Sequence, residues 1–174
     1  MGRRRSRRKK ERKQRTQEEL RRASNHLYYE IWMLTSLASI MASRITGEVV
    51  KNNAFIESFT IHARGLLYFL YAGDPQPNDV IADDFFPTSQ EWKEARPGKT
   101  QILKKVHRRV AKEVAHLTYD RQYVTPEMKG WPFLQIAKDI KVALNEFLRI
   151  VPEKLLGPRW ENEREQIRKM RKNT

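Results

Sequence analysis

Apolar residues recur at every third and fourth position along four long stretches of this sequence. In the first stretch Leu27, Ile31, Leu34, Ala38 and Met41 form one such stripe. Residues with this spacing share one face of an α-helix, and that face has to be buried against another element. No stretch shows the sustained alternation of apolar and polar residues that is typical of a half-buried strand. The sequence therefore predicts an all-α fold, an antiparallel bundle of four main helices.

The ends of these helices carry recognisable capping and stop signals. Thr16 and Glu19 have the spacing of a capping box, in which each side chain accepts a hydrogen bond from the other residue's backbone N–H. Gly47 and Pro152 are residues at which helices commonly end. The predicted helices span residues 16–45, 48–72, 100–119 and 132–151.

A long connection separates the second predicted helix from the third. It starts with the turn sequence GDPQP at residues 73–77 and continues to Gly98, with short helical turns predicted at 78–86 and 89–95. A connection of this length inside a compact domain is often functional.

The positive charge of the chain is concentrated near its ends. The net charge is +14, and residues 1–15 hold ten basic residues and one acidic residue, whereas residues 16–158 are nearly balanced. A dense run of like charge repels itself and buries nothing, so residues 1–15 are predicted to be a disordered arm that binds a polyanion. The nucleic-acid-binding residues predicted in this arm are Arg3, Arg4, Arg5, Arg7, Arg8, Lys9 and Lys10.

These patterns divide the chain into three predicted segments: the basic arm at 1–15, the helical bundle domain at 16–152, and a charged tail or exposed helix at 153–174. The chain has no cysteine, which excludes disulfides and thiolate metal sites. No apolar stretch reaches the roughly 20 residues that a membrane span needs.

Two polar stripes run beside the apolar faces of the second and third predicted helices. Arg109 and His116 are two turns apart on one stripe, and Glu57 and Arg64 are two turns apart on the other. If the two helices pack antiparallel, the stripes can meet in one cleft, with Arg121 nearby.

Such a set of side chains is suited to metal-independent cleavage of RNA by the ribose 2′-hydroxyl. The histidine can act as general acid or base, the arginines can bind the phosphate bidentately, and the carboxylate can orient them. The alternative is structural: a marginal histidine with satisfied hydrogen bonds and a surface Glu–Arg pair. The predicted catalytic residues are Arg109, His116, Glu57 and Arg64, with Arg121 binding nucleic acid and with no metal and no cofactor.

The segments ESFTIHARGLLYFLY (57–71) and VAHLTYDR (114–121), together with Arg109 followed after six residues by His116, resemble the HEPN superfamily of all-α domains. The resemblance covers roughly residues 48–150. It implies an RNA-binding protein with ribonuclease activity in a toxin or defence system. It also implies a homodimer in which two Arg/His motifs face one composite cleft, with an antitoxin or regulatory protein as a further partner.

Three functions remain open at this point. The leading one is the HEPN-like RNA-binding protein, with RNA favoured over DNA and a cytoplasmic location. Val110 stands where the family motif usually has Asn, Asp or His, and some HEPN-like domains only bind nucleotides or partners. The runner-up is therefore a non-enzymatic nucleic-acid- or partner-binding regulatory module, and the third is a membrane-surface protein held by the basic arm.

Overall fold

The computed structural model describes residues 12–43, 47–110, 114, 118–123, 125 and 130–172, except for the side chains of His107, Asp120 and Arg121. Within these residues the chain forms helices and turns and no strand, which confirms the all-α prediction. None of the helices in this part of the chain is both long and apolar enough to cross a membrane.

Six α-helices make up most of the described chain, joined by short 3-10 turns. The turns are Ala82–Phe85, Tyr119–Tyr123, Glu153–Leu155 and Pro158–Glu163. The helices are α1 (Gln17–Ser43), α2 (Val49–Tyr71), α3 (Ser89–Ala95), α4 (Gln101–Arg109), α5 (Phe133–Ile150) and α6 (Arg164–Lys172).

The first helix begins at the predicted capping box. The Thr16 backbone N–H donates to Glu19 Oε2 at 2.7 Å, and the Glu19 backbone N–H donates to Thr16 Oγ1 at 3.2 Å. The bond from the Thr16 N–H stabilises the carboxylate and lowers the pKa of Glu19. This cap satisfies N–H groups that the start of a helix leaves without intrahelical partners.

The predicted basic arm is described only from Arg12 onward, because Arg3–Arg5 and Arg7–Lys10 lie outside the described residues. Its last residues are held by the folded body. Arg12 forms two hydrogen bonds of 2.7 Å with the carboxylate of Asp84, and Arg15 donates to the Pro77 carbonyl at 2.6 Å. Residues 12–15 therefore pack against the connection after α2.

That connection is packed into the core. Ile81, Ala82 and Phe85 are buried, and Trp92 of α3 is fully buried with its indole N–H donating to the Leu70 carbonyl at 2.8 Å. Part of this segment, which its length alone indicated to be a functional loop, thus contributes side chains to the core.

The centre of the core is an aromatic cluster around Phe147 of α5. Its ring centroid lies 5.1 Å from that of Phe69, 5.4 Å from Phe85 and 5.7 Å from Trp92, each pair edge to face. Edge-to-face pairs at such distances are favourable beyond the area they bury. The cluster joins α2, α3 and α5 and the connection into one core.

The C-terminal segment also belongs to this core. The sequence predicted a charged, exposed helix or a tail after residue 152, and α6 is a helix, but Leu156, Trp160 and Ile167 are buried. The Trp160 indole donates to the Ser24 carbonyl at 2.8 Å. The core thus continues past the predicted domain boundary at residue 152.

The third predicted helix changes its geometry along its length. The α-helix α4 starts one residue after Thr100, whose hydroxyl accepts a hydrogen bond from the Leu103 N–H, and it ends at Arg109. Val110 and Val114 are π-helical, Thr118 is not helical, and Tyr119–Tyr123 is a separate 3-10 turn. Helical structure therefore continues beyond α4, but it does not run unbroken to Tyr119.

Candidate nucleic-acid interface

Arg109, the first predicted catalytic residue, ends α4 and stacks on an aromatic ring. Its guanidinium carbon lies 4.0 Å from the centroid of the Trp131 ring, and its Nη1 donates to the Gly130 carbonyl at 3.1 Å. A cation over the face of a tryptophan is attracted by the ring quadrupole. These contacts hold the planar guanidinium in one orientation at the partly buried margin of the core.

Other cations of α4 face solvent. The helix buries Leu103 and Val106, while Lys104, Lys105 and Arg108 are exposed. This division follows the 3.6-residue period, which keeps the apolar positions on one side and the basic ones on the other. The outer face of α4 is thus a short basic surface that ends at the Arg109–Trp131 stack.

Two tyrosines that follow α4 in the chain are exposed to solvent. Tyr119 and Tyr123 are 89% and 71% exposed, at the two ends of the 3-10 turn that follows. Aromatic side chains carry a large apolar area that is normally at least partly buried. The high exposure of two tyrosines within one five-residue turn is therefore unusual. Exposed aromatic rings among cations are typical of surfaces on which unpaired bases stack.

The predicted stripe on α2 is at the surface. Glu57 and Arg64 are both exposed. Phe59 of α2 packs edge to face on Phe133, with ring centroids 5.1 Å apart, and Trp131 lies only two residues before Phe133 in the chain. The region of α2 around Glu57 is therefore near the Arg109–Trp131 stack, but the described contacts do not join Glu57 or Arg64 to Arg109.

His62, on the other margin of α2, has a partner in α1. Its Nδ1 lies 2.6 Å from Glu30 Oε2, and Tyr29 packs edge to face on its ring at 5.8 Å. The histidine is mostly buried between the two helices, with 11% of its side chain exposed. This contact fits the structural alternative, in which a histidine at the edge of the core has its hydrogen bonds satisfied by neighbouring side chains.

The remaining predicted site residues lie outside the described residues. They are His116, the side chain of Arg121, and Arg3, Arg4, Arg5, Arg7, Arg8, Lys9 and Lys10. In the described part of the chain, no group of three or more His, Asp or Glu side chains is placed to hold a metal ion.

The sequence reasoning missed Trp131 and the two tyrosines as parts of a surface. The signal available in the sequence was YDRQY at 119–123, where two tyrosines flank three polar residues and no helical apolar stripe is present. Phe59 and Phe69 of α2 are both buried core residues. Trp131 and Phe133 are partly buried and packed against that core, and one face of Trp131 carries Arg109.

Comparison of the chain with protein-family models, with curated proteins and with solved structures found no match.

Proposed function

We propose that this chain is an RNA-binding helical protein, similar to HEPN domains, that holds single-stranded RNA at the end of α4. The observation that carries the proposal is the pair of exposed tyrosines, Tyr119 and Tyr123, which follow the basic helix α4 in the chain. Cations neutralise phosphates, and aromatic rings stack on bases. Bases are available for stacking only where they are unpaired, so the ligand is a single strand.

Replacing both tyrosines by alanine tests this proposal. Stacking on an aromatic side chain is worth about 1–3 kcal/mol per base, so Tyr119→Ala/Tyr123→Ala is expected to weaken RNA binding about tenfold or more. Tyr119→Phe/Tyr123→Phe is the matched control, because it keeps the rings and removes only the hydroxyls. Equal binding by the wild-type and alanine proteins, measured by fluorescence anisotropy on a short unstructured RNA, would refute the proposal. A DNA of the same sequence tests the preference for RNA.

The more specific form of the proposal is metal-independent ribonuclease activity in a toxin or defence system. Arg109 and Arg64 would bind the scissile phosphate, His116 would transfer the proton, and Glu57 would orient the histidine or an arginine. His116→Ala and Arg109→Ala are each expected to lower the cleavage rate by ~10²–10⁴-fold in the presence of a chelator. The double variant should be little slower than either single one, because the groups act as a unit.

The second candidate function is a non-enzymatic regulatory module that binds nucleic acid or a protein partner. The observation that favours it is the stacking of Arg109 on Trp131, since a guanidinium held there also serves the fold. Under this function, RNA is bound and not cleaved, and Arg109→Ala lowers stability without changing any rate of cleavage. A cleavage assay and a melting curve on the same Arg109→Ala sample distinguish the two functions.

The architecture and assembly follow the same proposal. We propose that the long helices form an antiparallel four-helix bundle, which is supported by the bonds from Arg12 and Arg15, just before α1, to the segment after α2.

We also propose that two chains form a homodimer whose Arg/His motifs share one cleft. The basic arm before Arg12 adds affinity for RNA in this proposal, and the protein acts in the cytoplasm with an antitoxin or regulator. Light scattering in nuclease-treated samples tests the dimer, and a strictly monomeric protein that still cleaves RNA would refute the shared cleft.

A further inference from the structure

A second candidate site is a cleft that neither Tyr119 nor Tyr123 lines. Its volume is about 860 Å³, within the range of pockets that bind small molecules. One wall is the N-terminal segment before α1, and the other walls come from the connection, α3 and the turn after α5. Six cationic side chains line it: Arg12, Lys13, Arg15, Lys93, Arg96 and Lys154.

The charge of these walls is only partly neutralised from within. Two carboxylates line the cleft, Asp83 and Asp84. Asp84 is paired with Arg12 at 2.7 Å, whereas Asp83 lies 4.0 Å from Lys93 Nζ. Burial raises the pKa of Asp83, which means that its surroundings disfavour its negative charge. The cleft therefore has an excess of positive charge.

Arg96, which lines the cleft, lies near a second cation that does not line it, Lys99. The Arg96 guanidinium lies 5.5 Å from the centroid of the Tyr71 ring, and Lys99 Nζ lies 5.0 Å from the same centroid. Burial and the repulsion of Arg96 both lower the pKa of Lys99. A bound anion beside Arg96 would relieve this repulsion.

The walls are fixed in place, and the floor is apolar. Arg12 donates to the Asp79 carbonyl at 3.0 Å as well as to Asp84, which ties the N-terminal segment across the connection. Phe86, which lines the cleft, lies parallel to Trp92, with ring centroids 6.1 Å apart and an interplanar angle of 5°. Pro87 and Leu155 extend the apolar surface. A ligand that suits this cleft has an anionic group for the walls and an organic body for the floor.

We propose that the cleft between the N-terminal segment, α3 and the turn after α5 binds a phosphate ester, with its phosphate at the lysines and arginines and its organic body on Phe86, Pro87 and Leu155. The ester can belong to a nucleic-acid strand or to a free mononucleotide, since both present the same chemistry. This site is separate from the tyrosines and does not depend on RNA binding at α4.

Charge reversal at the rim tests the proposal. Lys13 and Lys154 are exposed and line the cleft, so Lys13→Glu/Lys154→Glu changes the site without opening the core. Lys51→Glu/Lys138→Glu is the matched control, because it makes the same change in net charge at exposed positions that do not line the cleft. The probes are a fluorescein-labelled single-stranded oligonucleotide, uridine monophosphate and inorganic phosphate, each titrated into the full-length proteins at fixed ionic strength.

The cleft variant is expected to bind a phosphate ester about tenfold more weakly or worse, because each charge-assisted hydrogen bond to an ion contributes about that much. The control variant should stay within about twofold of wild type. Loss for the oligonucleotide alone identifies a strand as the ligand, and loss for uridine monophosphate as well identifies a mononucleotide site. A weakening seen for inorganic phosphate but for neither ester, equal weakening by the two variants, or no weakening, would overturn the proposal.

Two further variants control for unfolding of the glutamate variant and for RNA binding at the tyrosines. Lys13→Gln/Lys154→Gln removes the charges without adding negative ones, and it replaces the glutamate variant if a melting curve shows that the latter is unfolded. Tyr119→Ala/Tyr123→Ala distinguishes the two proposals. If the cleft variant alone loses oligonucleotide binding, the tyrosine surface is refuted, and if the tyrosine variant alone loses it, the cleft is refuted as a strand site.

Discussion

Gly157 lies so close to α1 that no side chain fits on it. A Cβ atom at this position would be 2.5 Å from the Arg21 carbonyl oxygen and 2.4 Å from Asn25 Oδ1. The close approach lets the Gly157 N–H donate to Ser24 Oγ at 2.7 Å. The role of this glycine is therefore packing, since none of the described glycines has a positive φ.

Gly157→Ala is expected to lower the free energy of unfolding by about 1–3 kcal/mol, because the backbone of α1 has to move away. Gly98→Ala is the matched control, since a Cβ there meets no atom within 4 Å. It should be neutral or raise stability by about 0.4–1 kcal/mol through the lower entropy of the unfolded chain. Denaturant unfolding measures both, and equal effects would contradict the packing argument.

Asp83 gives the phosphate-ester cleft a dependence on pH. Lys93, Arg96 and Asp84 are the charged groups that act on it, and burial raises its pKa above the ordinary value of 3.8. Below this raised pKa Asp83 is neutral and no longer repels a phosphate, whereas above it the carboxylate opposes binding.

Oligonucleotide affinity is therefore expected to rise as the pH falls from 7 toward 4. With an oligouridylate as the probe, the phosphodiesters and the bases both keep their charge over this range, so the ligand does not contribute. Asp83→Asn should bind more tightly than wild type at pH 7, and its affinity should change less with pH. An Asp83→Asn protein with the pH profile of wild type would exclude this carboxylate as the cause.

The outcomes for single residues show which kinds of property the sequence predicts. The Thr16–Glu19 capping box is correct because all its contacts lie within four consecutive residues. Arg109 was singled out, but its stacking partner Trp131 was not, because that contact joins residues 22 positions apart across a loop. The exposure of Tyr119 was equally beyond the sequence, since it depends on how the whole turn is placed.

At the scale of elements, strong apolar periodicity predicts a helix well, and its absence predicts little. The bounds of α1, α2 and α5 agree with the predictions to within two residues, because each helix carries a long apolar stripe. In α6 the pattern is weak, since Ile167 and Met170 are its only apolar residues. Its burial could not be predicted from its own sequence, since it depends on α1 and α5.

Ion pairs with Glu153 connect α6 to the turn after α5. Arg168 Nη2 and Arg164 Nη1 lie 2.6 Å and 3.2 Å from Glu153 Oε1. The hydrogen bond from Arg168 is the main cause of the lowered pKa of Glu153, with Arg164 adding to it. When folding lowers the pKa of a carboxylate, the ionised group stabilises the fold, and this stabilisation is fully present at pH values above the pKa of the unfolded chain.

This contribution is lost as the pH falls from about 4.5 through the folded-state pKa of Glu153. We expect the protection factors of the α6 amides, which correct for the intrinsic pH dependence of exchange, to fall over this range in the wild type. Glu153→Gln should show lower protection factors already at pH 6 and a weaker dependence of these factors on pH. Glu165→Gln is the control, because its pair with Lys169 is exposed and contributes little. Identical pH profiles for Glu153→Gln and wild type would contradict the assignment.

At the scale of the whole molecule, the last residues of the basic N-terminal region pack on the folded body. The sequence predicted one disordered arm over residues 1–15, because its charge density is uniform. Arg12 and Arg15 instead bond to the carboxylate and carbonyls of residues 76–84. The sequence does not contain this information in the arm itself.

Deleting residues 1–11 is expected to leave the melting temperature unchanged. Arg12→Ala should lower the free energy of unfolding by about 1–3 kcal/mol, because Asp84 loses its charged partner in a mostly buried place. For a chain of this length each kcal/mol corresponds to about 2–4 °C in melting temperature. Arg22→Ala is the control, since its pair with Glu18 is exposed. Equal melting temperatures for Arg12→Ala and Arg22→Ala would show that Arg12 does not hold the segment.

The bonds between Ser24 and the residues around Gly157 join parts of the chain that are 133 positions apart. On the ribosome, Ser24 is made long before Gly157 and Trp160, which bond to its hydroxyl and carbonyl oxygens. At roughly 5–20 residues per second, these atoms of α1 wait on the order of ten seconds for their partners, although α2 follows directly. Folding of this part of the protein is thus completed only after Trp160 has been synthesised.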